Sequence, residues 1–243
     1  MGKKRADVVL VERGLFDSRA KARAAIEAGG VSLAGRVLAK PSELIDEAAA
    51  LEAVAAHPYV GRGALKLVHA FDLWPVGVEG RTVLDVGAST GGFTEVCLQR
   101  GAACVYAVDV GRGQLHPKLA ADPRVVSLEG VDARNLTSGL IPRAPDLIVT
   151  DVSFIGLAKA LPAALALASA GADLVALVKP QFEVGREAVG KGGLVKDEAA
   201  RAKALADVAA FLTSSGWIVR ASTGSPIAGG DGNREHLLWA QKA

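Results

Sequence analysis

The stretch from Leu84 to Thr94 constrains the fold of this chain more than any other part of its sequence. It reads Leu-Asp-Val-Gly-Ala-Ser-Thr-Gly-Gly-Phe-Thr, between an apolar segment that predicts the end of a buried strand and a segment, 95–98, that predicts a helix. Glycines and other small residues at such a turn let the backbone approach a ligand closely and enter the helix sharply. Three glycines in one turn carry an entropic cost that packing alone would avoid, so a ligand site is favoured over a plain glycine-rich turn.

The acidic residue Asp85 distinguishes this turn from turns that bind phosphate. It stands two positions before the first glycine, and neither the Gly-x-Gly-x-x-Gly nor the Gly-x-x-x-x-Gly-Lys-Ser/Thr pattern occurs. A carboxylate there would repel a phosphate at the helix N-terminus but suits a neutral or cationic ligand. The order Asp-x-Gly-x-x-x-Gly-Gly-Phe-Thr resembles motif I of Rossmann-like methyltransferases. That resemblance implies an S-adenosylmethionine site formed by Asp85, Gly87, Ser89, Thr90, Gly91, Gly92 and Phe93.

The chain around and after this turn alternates strand and helix patterns, which indicates an α/β domain with a doubly wound, mostly parallel sheet. Seven strands are predicted, at Val83–Val86, Cys104–Val110, Arg124–Leu128, Asp146–Asp151, Ala172–Val178, Trp217–Ala221 and His236–Gln241. Helices are predicted over 92–100, 112–121, 154–170 and 197–215, with a further one after residue 63. The last strand is expected to run antiparallel to the others. Ligands in such sheets bind at the carboxyl ends of the strands.

Acidic residues follow the second and third predicted strands. Asp109 suits a ribose diol, because a carboxylate accepts hydrogen bonds from both hydroxyls, and Asp132 could accept from an adenine amino group. Each acid alone could equally be a helix cap. Acids at three successive strand ends favour one ligand site over three separate caps. A hydride-transferring NAD enzyme would also place an acid after its second strand, but the first turn lacks the glycine fingerprint of that class.

Four ionisable residues from distant parts of the chain are expected at one mouth of the sheet. Asp151 and Lys179 end the fourth and fifth strands, Glu235 begins the last strand, and Lys66 falls in the helix before the first strand. A lysine at the end of a buried strand is unusual, because a buried ammonium needs a partner. The alternative is that Lys179 extends to solvent. Lys66 by itself would be an ordinary surface lysine.

The first 40 residues carry nine lysines and arginines against four acids, so the basic excess of the chain lies at its N-terminus. The patterns predict a helix over 6–13, a second helix up to Ala28 capped by Asp17 or Ser18, and a hairpin over 31–41. On the second helix, Ala22 and Ile26 point inward, whereas Arg19 and Arg23 share an exposed face. Charge alone would favour an ordinary solvated helix face.

The residue order in this segment favours a more specific interpretation. Ser-Arg-x-x-Ala-x-x-x-Ile-x-x-Gly-x-Val-x-x-x-Gly-x-x-x-x-Lys-Pro, from Ser18 to Pro41, resembles the αL-type RNA-binding module first seen in a small-subunit ribosomal protein. Such modules bind structured RNA through phosphate and shape. Ala34 departs from the Asn or Asp that is usual before the hairpin glycine. The resemblance implies RNA contacts from Arg5, Arg19, Lys21, Arg23, Arg36 and Lys40.

The two parts of the chain together resemble one family. The order lysine, aspartate, lysine, glutamate around motif I resembles that of FtsJ-type ribose 2′-O-methyltransferases. With the αL module in front, the chain resembles the TlyA family, also called haemolysin A-like proteins, and segments 87–96, 151–155 and 178–185 carry the resemblance. It implies methylation of cytidine ribose 2′-hydroxyls in ribosomal RNA, with S-adenosylmethionine as donor. The implied division is an RNA-binding domain over 1–55, a linker over 56–62 and a methyltransferase domain over 63–243.

The resemblance also implies catalytic roles for Lys66, Asp151, Lys179 and Glu235. A ribose hydroxyl is a poor nucleophile, so it needs a base or a strong acceptor as it attacks the methyl group. A lysine serves only as the neutral amine, which a second lysine and burial favour and which the two carboxylates oppose. The sequence leaves that balance open. A shorter type in the family modifies the large subunit alone, and because this sequence ends soon after its last strand, large-subunit RNA is the expected substrate.

Other residues narrow the remaining functions. Cys97 and Cys104 lie in apolar surroundings, which predicts buried thiols of a reducing compartment rather than a disulfide or a metal site. The longest apolar tract, 155–170, contains a lysine and a proline and is shorter than the ~20 residues of a membrane span. We expect a cytoplasmic monomer that acts on ribosomal RNA or a ribosomal subunit. The alternatives are a non-catalytic RNA-binding ribosome-assembly factor and a membrane-active haemolysin.

Overall fold

The computed structural model describes residues 2–243, and the chain divides into two compact units with the boundary between Pro58 and Tyr59. The second unit therefore begins within the predicted linker, 56–62. The domain boundaries inferred from the sequence stay a prediction. Each unit has an apolar core of its own.

The first unit packs two helices against short strands. Its elements are β1 Lys3–Arg5, α1 Ala6–Glu12, α2 Arg19–Glu27, β2 Val31–Leu33, β3 Arg36–Val37, β4 Leu44–Asp46 and β5 Leu51–Ala53. β1 pairs antiparallel with β4, and β2 lies between β3 and β5. The predicted hairpin is confirmed, and its turn places Ala34 and Gly35 at positive φ, of 48° and 81°.

Capping and burial explain where α2 lies. The Ser18 hydroxyl accepts a hydrogen bond from the Lys21 N–H, so Ser18 rather than Asp17 is the N-cap. Ala22 and Ile26 are buried in the core of the unit, as their spacing of four predicts. The opposite face of the helix is left to solvent.

The second unit is a seven-stranded sheet with helices on both faces. Its strands are β6 Thr82–Val86, β7 Cys104–Asp109, β8 Val125–Glu129, β9 Leu147–Thr150, β10 Asp173–Val178, β11 Trp217–Gly224 and β12 His236–Lys242. Its helices are α3 Ala64–Leu73, α4 Gly92–Gln99, α5 Pro117–Ala120, α6 Leu157–Ala160, α7 Pro162–Leu167, α8 Pro180–Glu183 and α9 Glu198–Ser214. All seven predicted strands are confirmed, with their ends shifted by a few residues at most.

The strands lie in the order β11-β12-β10-β9-β6-β7-β8. The five strands from β10 to β8 run parallel, whereas β12 is antiparallel to both β10 and β11. The expected Rossmann-like sheet with an antiparallel last strand is thus confirmed. The chain order reverses between β6 and β9, so the carboxyl ends of these strands flank the crevice in which this fold class binds ligands.

Two predicted helices are shorter than the sequence pattern indicates. Over 112–121 the helix begins only at α5, because Gly113 adopts φ 65°, in the left-handed region, ahead of it. Over 154–170 the chain forms two short helices, α6 and α7, since Pro162 cannot continue a helix but suits the first turn of a new one. Phe154 lies outside both, at φ 67°.

Alternate strand side chains fill two apolar layers, one on each face of the sheet. Val83 packs in the layer of α3 and α4, and Leu84 in the layer of α6, α7 and α9. Cys97 and Cys104 are free and buried, one in each layer. They are therefore core residues, as the sequence predicts.

Candidate functional site

Lys66, Asp151, Lys179 and Glu235 come together as two ion pairs at the carboxyl ends of the strands. Lys66 Nζ lies 2.5 Å from Glu235 Oε2, and Lys179 Nζ lies 2.6 Å from Asp151 Oδ1. Burial raises the pKa of the Glu235 carboxyl, whereas the charges of Lys66 and Lys179 oppose the rise. Because the charges of both lysines act on the pKa of Glu235, the two pairs form one electrostatic cluster.

The sheet register explains how residues so distant in the chain converge. β12 begins opposite the last residue of β10, so Glu235 and Lys179 flank the same position of the sheet. β9 is parallel to β10 and ends one residue before Asp151. Lys66 comes from α3, which covers one face of the sheet.

Both lysines are largely withdrawn from solvent. Only 8% of the Lys66 side chain and 11% of the Lys179 side chain are exposed. A lysine that extended to solvent from a strand end would be exposed, so that alternative does not fit Lys179. A buried ammonium needs an anionic partner, and each lysine has one.

Ser153 joins this cluster, although the sequence reasoning missed it. Its hydroxyl accepts a hydrogen bond from Lys179 Nζ at 2.8 Å. The contact of Lys179 with Asp151 Oδ1, by contrast, is an ion pair without hydrogen-bond geometry. The available signal was the Asp-Val-Ser order, which puts a short polar side chain two positions after Asp151, just beyond a strand end.

Phe154, the next residue, is unusual in both exposure and backbone conformation. It is 91% exposed, and its φ of 67° lies in a region that bulky residues rarely adopt. Its ring centroid lies 5.4 Å from that of Phe182. Backbone strain of this kind clusters at ligand and active sites, which makes Phe154 a candidate contact residue.

A cavity of about 690 Å³ opens beside the ion pairs, at the ends of β6, β7 and β9. Three carboxylates and two cationic side chains, Arg134 and Lys159, line it, a balance that suits a cationic ligand better than a polyphosphate. Of the predicted cofactor residues, its wall includes Gly87, Ser89, Asp109, Asp132 and Asp151. Its wall does not include Asp85, Thr90, Gly91, Gly92 or Phe93.

Asp85, an expected cofactor contact, lies behind the cavity wall and does not line the cavity. Its side chain has no exposed surface, and its Oδ2 accepts a hydrogen bond from the Thr94 hydroxyl at 2.6 Å. Within residues 2–243, Oδ1 has no hydrogen-bond partner. Burial raises the pKa of this carboxyl to about 7, against the opposing bond from Thr94.

Gly87 and Gly92 are required by the packing of the protein on itself. Gly87 adopts φ 86°, and a Cβ there would lie 3.0 Å from the carbonyl oxygen of Asp151. A Cβ on Gly92 would lie 3.2 Å from the backbone nitrogen of Ala64, where α3 begins. The sequence reasoning assigned this space to a ligand, whereas the structure fills it with neighbouring backbone. Phe93 likewise belongs to the apolar core.

Asp109 and Asp132 each serve the local backbone as well as the cavity wall. Asp109 accepts hydrogen bonds from the N–H groups of Ser89 and Gly111, which fixes the turn after β6 against the turn after β7. Asp132 caps the short 133–135 helix and binds Arg134, which lowers the pKa of its carboxyl to about 2. The helix-cap alternative therefore holds for Asp132, whose two oxygens each accept two hydrogen bonds from Arg134. Each oxygen of Asp109 accepts only one and keeps a further lone pair for a ligand.

Two of the predicted RNA-binding arginines are engaged by an acid that the sequence reasoning missed. Arg5 and Arg19 both bind the carboxylate of Asp7, which has no exposed surface. The bond from Arg5 lowers the pKa of Asp7 to about 2, and Arg19 adds to the effect. Their first role is thus to stabilise the unit around a buried charge.

The other predicted RNA-binding residues differ in whether an acidic side chain already binds them. Ion pairs join Lys21 to Asp17 at 2.9 Å and Arg36 to Glu43 at 2.5 Å. Arg23 lies 4.0 Å from Glu27 with both side chains mostly exposed, and Lys40 is exposed without an ion pair in the part of the chain that the structure describes. Arg23 and Lys40 are therefore the basic residues most available to a phosphate.

Comparison with known proteins gives a family match for each unit. Residues 59–242 match the FtsJ-like methyltransferase family, and residues 4–49 match the S4 domain family. The first match spans more than half of the chain and contains both ion pairs and the cavity.

Individual relatives match over most or all of the chain. The 16S/23S rRNA (cytidine-2′-O)-methyltransferase TlyA of Mycobacterium tuberculosis is 48% identical over 237 residues, 97% of this chain and 88% of the relative. The 23S rRNA (cytidine-2′-O)-methyltransferase TlyA of Campylobacter jejuni is 35% identical over 182 residues, 74% of this chain and 70% of the relative.

A solved structure from Streptococcus thermophilus that carries a hemolysin name is 42% identical, with a TM-score of 0.79 over 100% of this chain and 90% of that chain. A haemolysin that inserted helices into a bilayer would need spans of sufficient length and apolarity. Among the helices described for residues 2–243, none meets both requirements.

Proposed function

Because the chain belongs to the TlyA family of FtsJ-like methyltransferases, we propose that it transfers a methyl group from S-adenosylmethionine to a cytidine 2′-hydroxyl in ribosomal RNA. The observation that carries the proposal is the cluster of two lysine–carboxylate pairs beside an acidic cavity. The M. tuberculosis relative is named for 16S and 23S rRNA, and the C. jejuni relative for 23S rRNA alone. Since 23S rRNA is common to both, large-subunit RNA is the proposed substrate.

The cavity has the chemistry that S-adenosylmethionine requires. A donor with a cationic sulfonium and ammonium is favoured by a wall with an excess of carboxylates. Asp109 would accept from the ribose hydroxyls in addition to its present bonds, and Asp132 would accept from the adenine amino group in exchange for part of its contact with Arg134. When bound, S-adenosylmethionine supplies an electrophilic methyl group.

Lys179 is the proposed acceptor of the proton that the ribose hydroxyl loses. The 2′-oxygen would form its bond to the methyl carbon as the carbon–sulfur bond breaks, and the hydroxyl proton would pass to Lys179, whose ammonium must first release a proton to solvent. Ser153 and Asp151 hold Nζ in place, and Asp151 stabilises the ammonium that forms. Lys66 and Glu235 complete the cluster, whose two positive and two negative charges balance once Lys179 carries the accepted proton.

Phe154 is the proposed platform for the cytosine base. Its ring is exposed one residue after Ser153, and the Ser153 hydroxyl accepts a hydrogen bond from Lys179, the proposed proton acceptor. Aromatic side chains stack on unpaired bases, and a stacked cytosine would present its ribose at a fixed distance. The strained backbone of Phe154 then has a function that offsets its cost.

The first unit is the proposed RNA-binding unit, with Arg23 and Lys40 as phosphate contacts. Ribosomal RNA or a ribosomal subunit is the partner that follows from the S4 match and from the relatives' names. We also propose a cytoplasmic site of action, where that partner is found, and a monomer as the acting species.

Mass spectrometry of 23S rRNA tests the proposal directly. Unmodified 23S rRNA, free or in large subunits, is incubated with the full chain and S-adenosylmethionine and digested. A gain of one methyl group on a cytidine ribose is expected, and the matched Lys179→Ala protein should give at least ~10²-fold less. RNA binding without a methyl gain would instead support the assembly factor, and dye release from liposomes would support the haemolysin.

A further inference from the structure

A second cavity, of about 560 Å³, lies on the face of the sheet opposite Lys66. Residues of α9, of the loop after β11 and of the start of β12 line it, among them Arg201, Leu205, Pro226, Ile227, Arg234 and His236. Leu237 packs in the layer of α3 and Leu238 in the layer of α9, so alternation along β12 turns His236 toward this cavity. Glu235, whose carboxylate binds Lys66, also lines the wall, so the cavity adjoins that ion pair.

The polar part of this cavity is cationic. Arg234 is exposed, and it has no ion pair or hydrogen bond within the described chain. Arg201 donates from one nitrogen to two backbone carbonyls, at 3.0 and 2.7 Å, which leaves its other N–H groups available. Glu198 also lies on the wall, and the carboxylate of Glu235 is already bound by its lysine. Two guanidinium groups therefore outnumber one uncommitted carboxylate.

Most of the remaining wall is apolar, which points to a nucleotide. Leu205, Pro226 and Ile227 offer a surface for a base, and the arginines offer donors for a phosphate. We propose that this cavity binds one nucleotide of the substrate RNA, next to the cytidine that is methylated. The inference rests on the proposed function for the identity of the RNA.

The position of Arg234 links this cavity to the reacting site. Arg234 directly precedes Glu235 in the chain, and consecutive Cα atoms are ~3.8 Å apart. An RNA strand that presents its target ribose to the ion pairs must therefore pass close to the cavity. Binding of the neighbouring nucleotide there would fix which ribose reaches Lys179.

Binding of 23S rRNA without S-adenosylmethionine tests the inference apart from catalysis. Filter binding at several salt concentrations compares the full-length parent with Arg234→Gln, Ile227→Ser and the control Arg143→Gln. Arg143 is an exposed arginine shortly before β9, at the amino-terminal end of that strand and so away from the cavity. It has no ion pair in the described chain. Thermal unfolding of each variant checks that its fold is kept.

Arg234→Gln should weaken binding about 10-fold and reduce the slope of log affinity against log salt by about one. Ile227→Ser should weaken binding at an unchanged slope, because it removes an apolar contact and no charge. Arg143→Gln should bind within about twofold of the parent. Parent-like affinity and slope in a folded Arg234→Gln protein would overturn the inference.

Two further results distinguish this inference from a free-nucleotide site and from the proposed function. If cytidine 5′-monophosphate binds the parent but not Arg234→Gln, while 23S rRNA binds both equally, the cavity is a free-nucleotide site and the RNA inference is wrong. If the predicted losses of RNA affinity occur but the parent adds no methyl group to 23S rRNA, the inference stands and the proposed function fails.

Discussion

Lys179 and Asp151 stand 2.6 Å apart, Nζ to Oδ1, at the ends of two adjacent parallel strands. The two residues are 28 positions apart in the chain, and only the sheet brings them together. The first prediction rests on this contact. Lys179→Ala should lower methylation of 23S rRNA by at least ~10²-fold, the size expected for loss of a general base. Lys179→Arg should also fail, because a guanidinium does not give up its proton.

Calorimetry supplies the control for the lysine variants. S-adenosylmethionine should bind Lys179→Ala within a few-fold of the parent, since Lys179 is not part of the cavity wall. Methylation by Lys179→Arg at the parent rate would show that Lys179 is no base.

The sequence predicted the strands and the convergence of the ion pairs more fully than it predicted the cofactor contacts. Strand ends follow from apolar runs and their parallel order, so Asp151, Lys179 and Glu235 could be placed at one edge without coordinates. Which side of a glycine turn faces a ligand depends on tertiary packing. Asp85 and Gly92 therefore looked like contact residues, whereas the structure places them behind the turn or against α3.

Gly87→Val is expected to abolish S-adenosylmethionine binding by displacing the protein backbone. A Cβ at Gly87 would meet the Asp151 carbonyl oxygen at 3.0 Å, and the φ of 86° adds strain for any other residue. Gly80→Val is the matched control, because Gly80 also has a positive φ, of 70°, but its Cβ would have no neighbour within 4 Å. Calorimetry on both folded proteins should show loss of binding for Gly87→Val alone. Parent-like affinity in Gly87→Val would show that cofactor binding does not depend on the close approach of Gly87 to the Asp151 backbone.

The buried carboxyl of Asp85 should make stability depend on pH. Burial raises its folded-state pKa to about 7, above its ordinary value of 3.8, so its contribution to stability is fully present below pH 3.8 and is lost as pH rises through 7. Asp85→Asn removes this loss. Its unfolding free energy relative to the parent should therefore increase by roughly 2–3 kcal/mol between pH 5 and pH 8, measured by urea denaturation.

Asp132→Asn is the control for the pH experiment. Arg134 lowers the folded-state pKa of Asp132 to about 2, so stability from this carboxyl is present above its unfolded value and is lost only as pH falls through 2. Its difference from the parent should stay flat between pH 5 and pH 8. An equally flat difference for Asp85→Asn would mean that burial does not raise the pKa of Asp85.

Arg23→Glu with Lys40→Glu should separate RNA binding from cofactor binding. Affinity for 23S rRNA should fall by at least about 10-fold, with a salt slope smaller by about two, while affinity for S-adenosylmethionine stays unchanged. Arg19→Glu is a poor substitute, because it removes a partner of the buried Asp7 and is expected to destabilise the unit. Filter binding and thermal unfolding distinguish the two cases. Unchanged RNA affinity in the double variant would exclude Arg23 and Lys40 as RNA contacts.

Phe154→Asn should make the protein more stable and less active at once. Asparagine tolerates the left-handed backbone that strains Phe154 at φ 67°, so unfolding free energy should rise by roughly 1 kcal/mol in urea. Loss of base stacking should lower kcat/KM for 23S rRNA about 10-fold or more, since a stacked base is worth ~1–3 kcal/mol. Phe154→Tyr, which keeps the ring, should retain methylation. Because stability and activity move in opposite directions, misfolding cannot mimic the result, and full activity in Phe154→Asn would exclude Phe154 as the base platform.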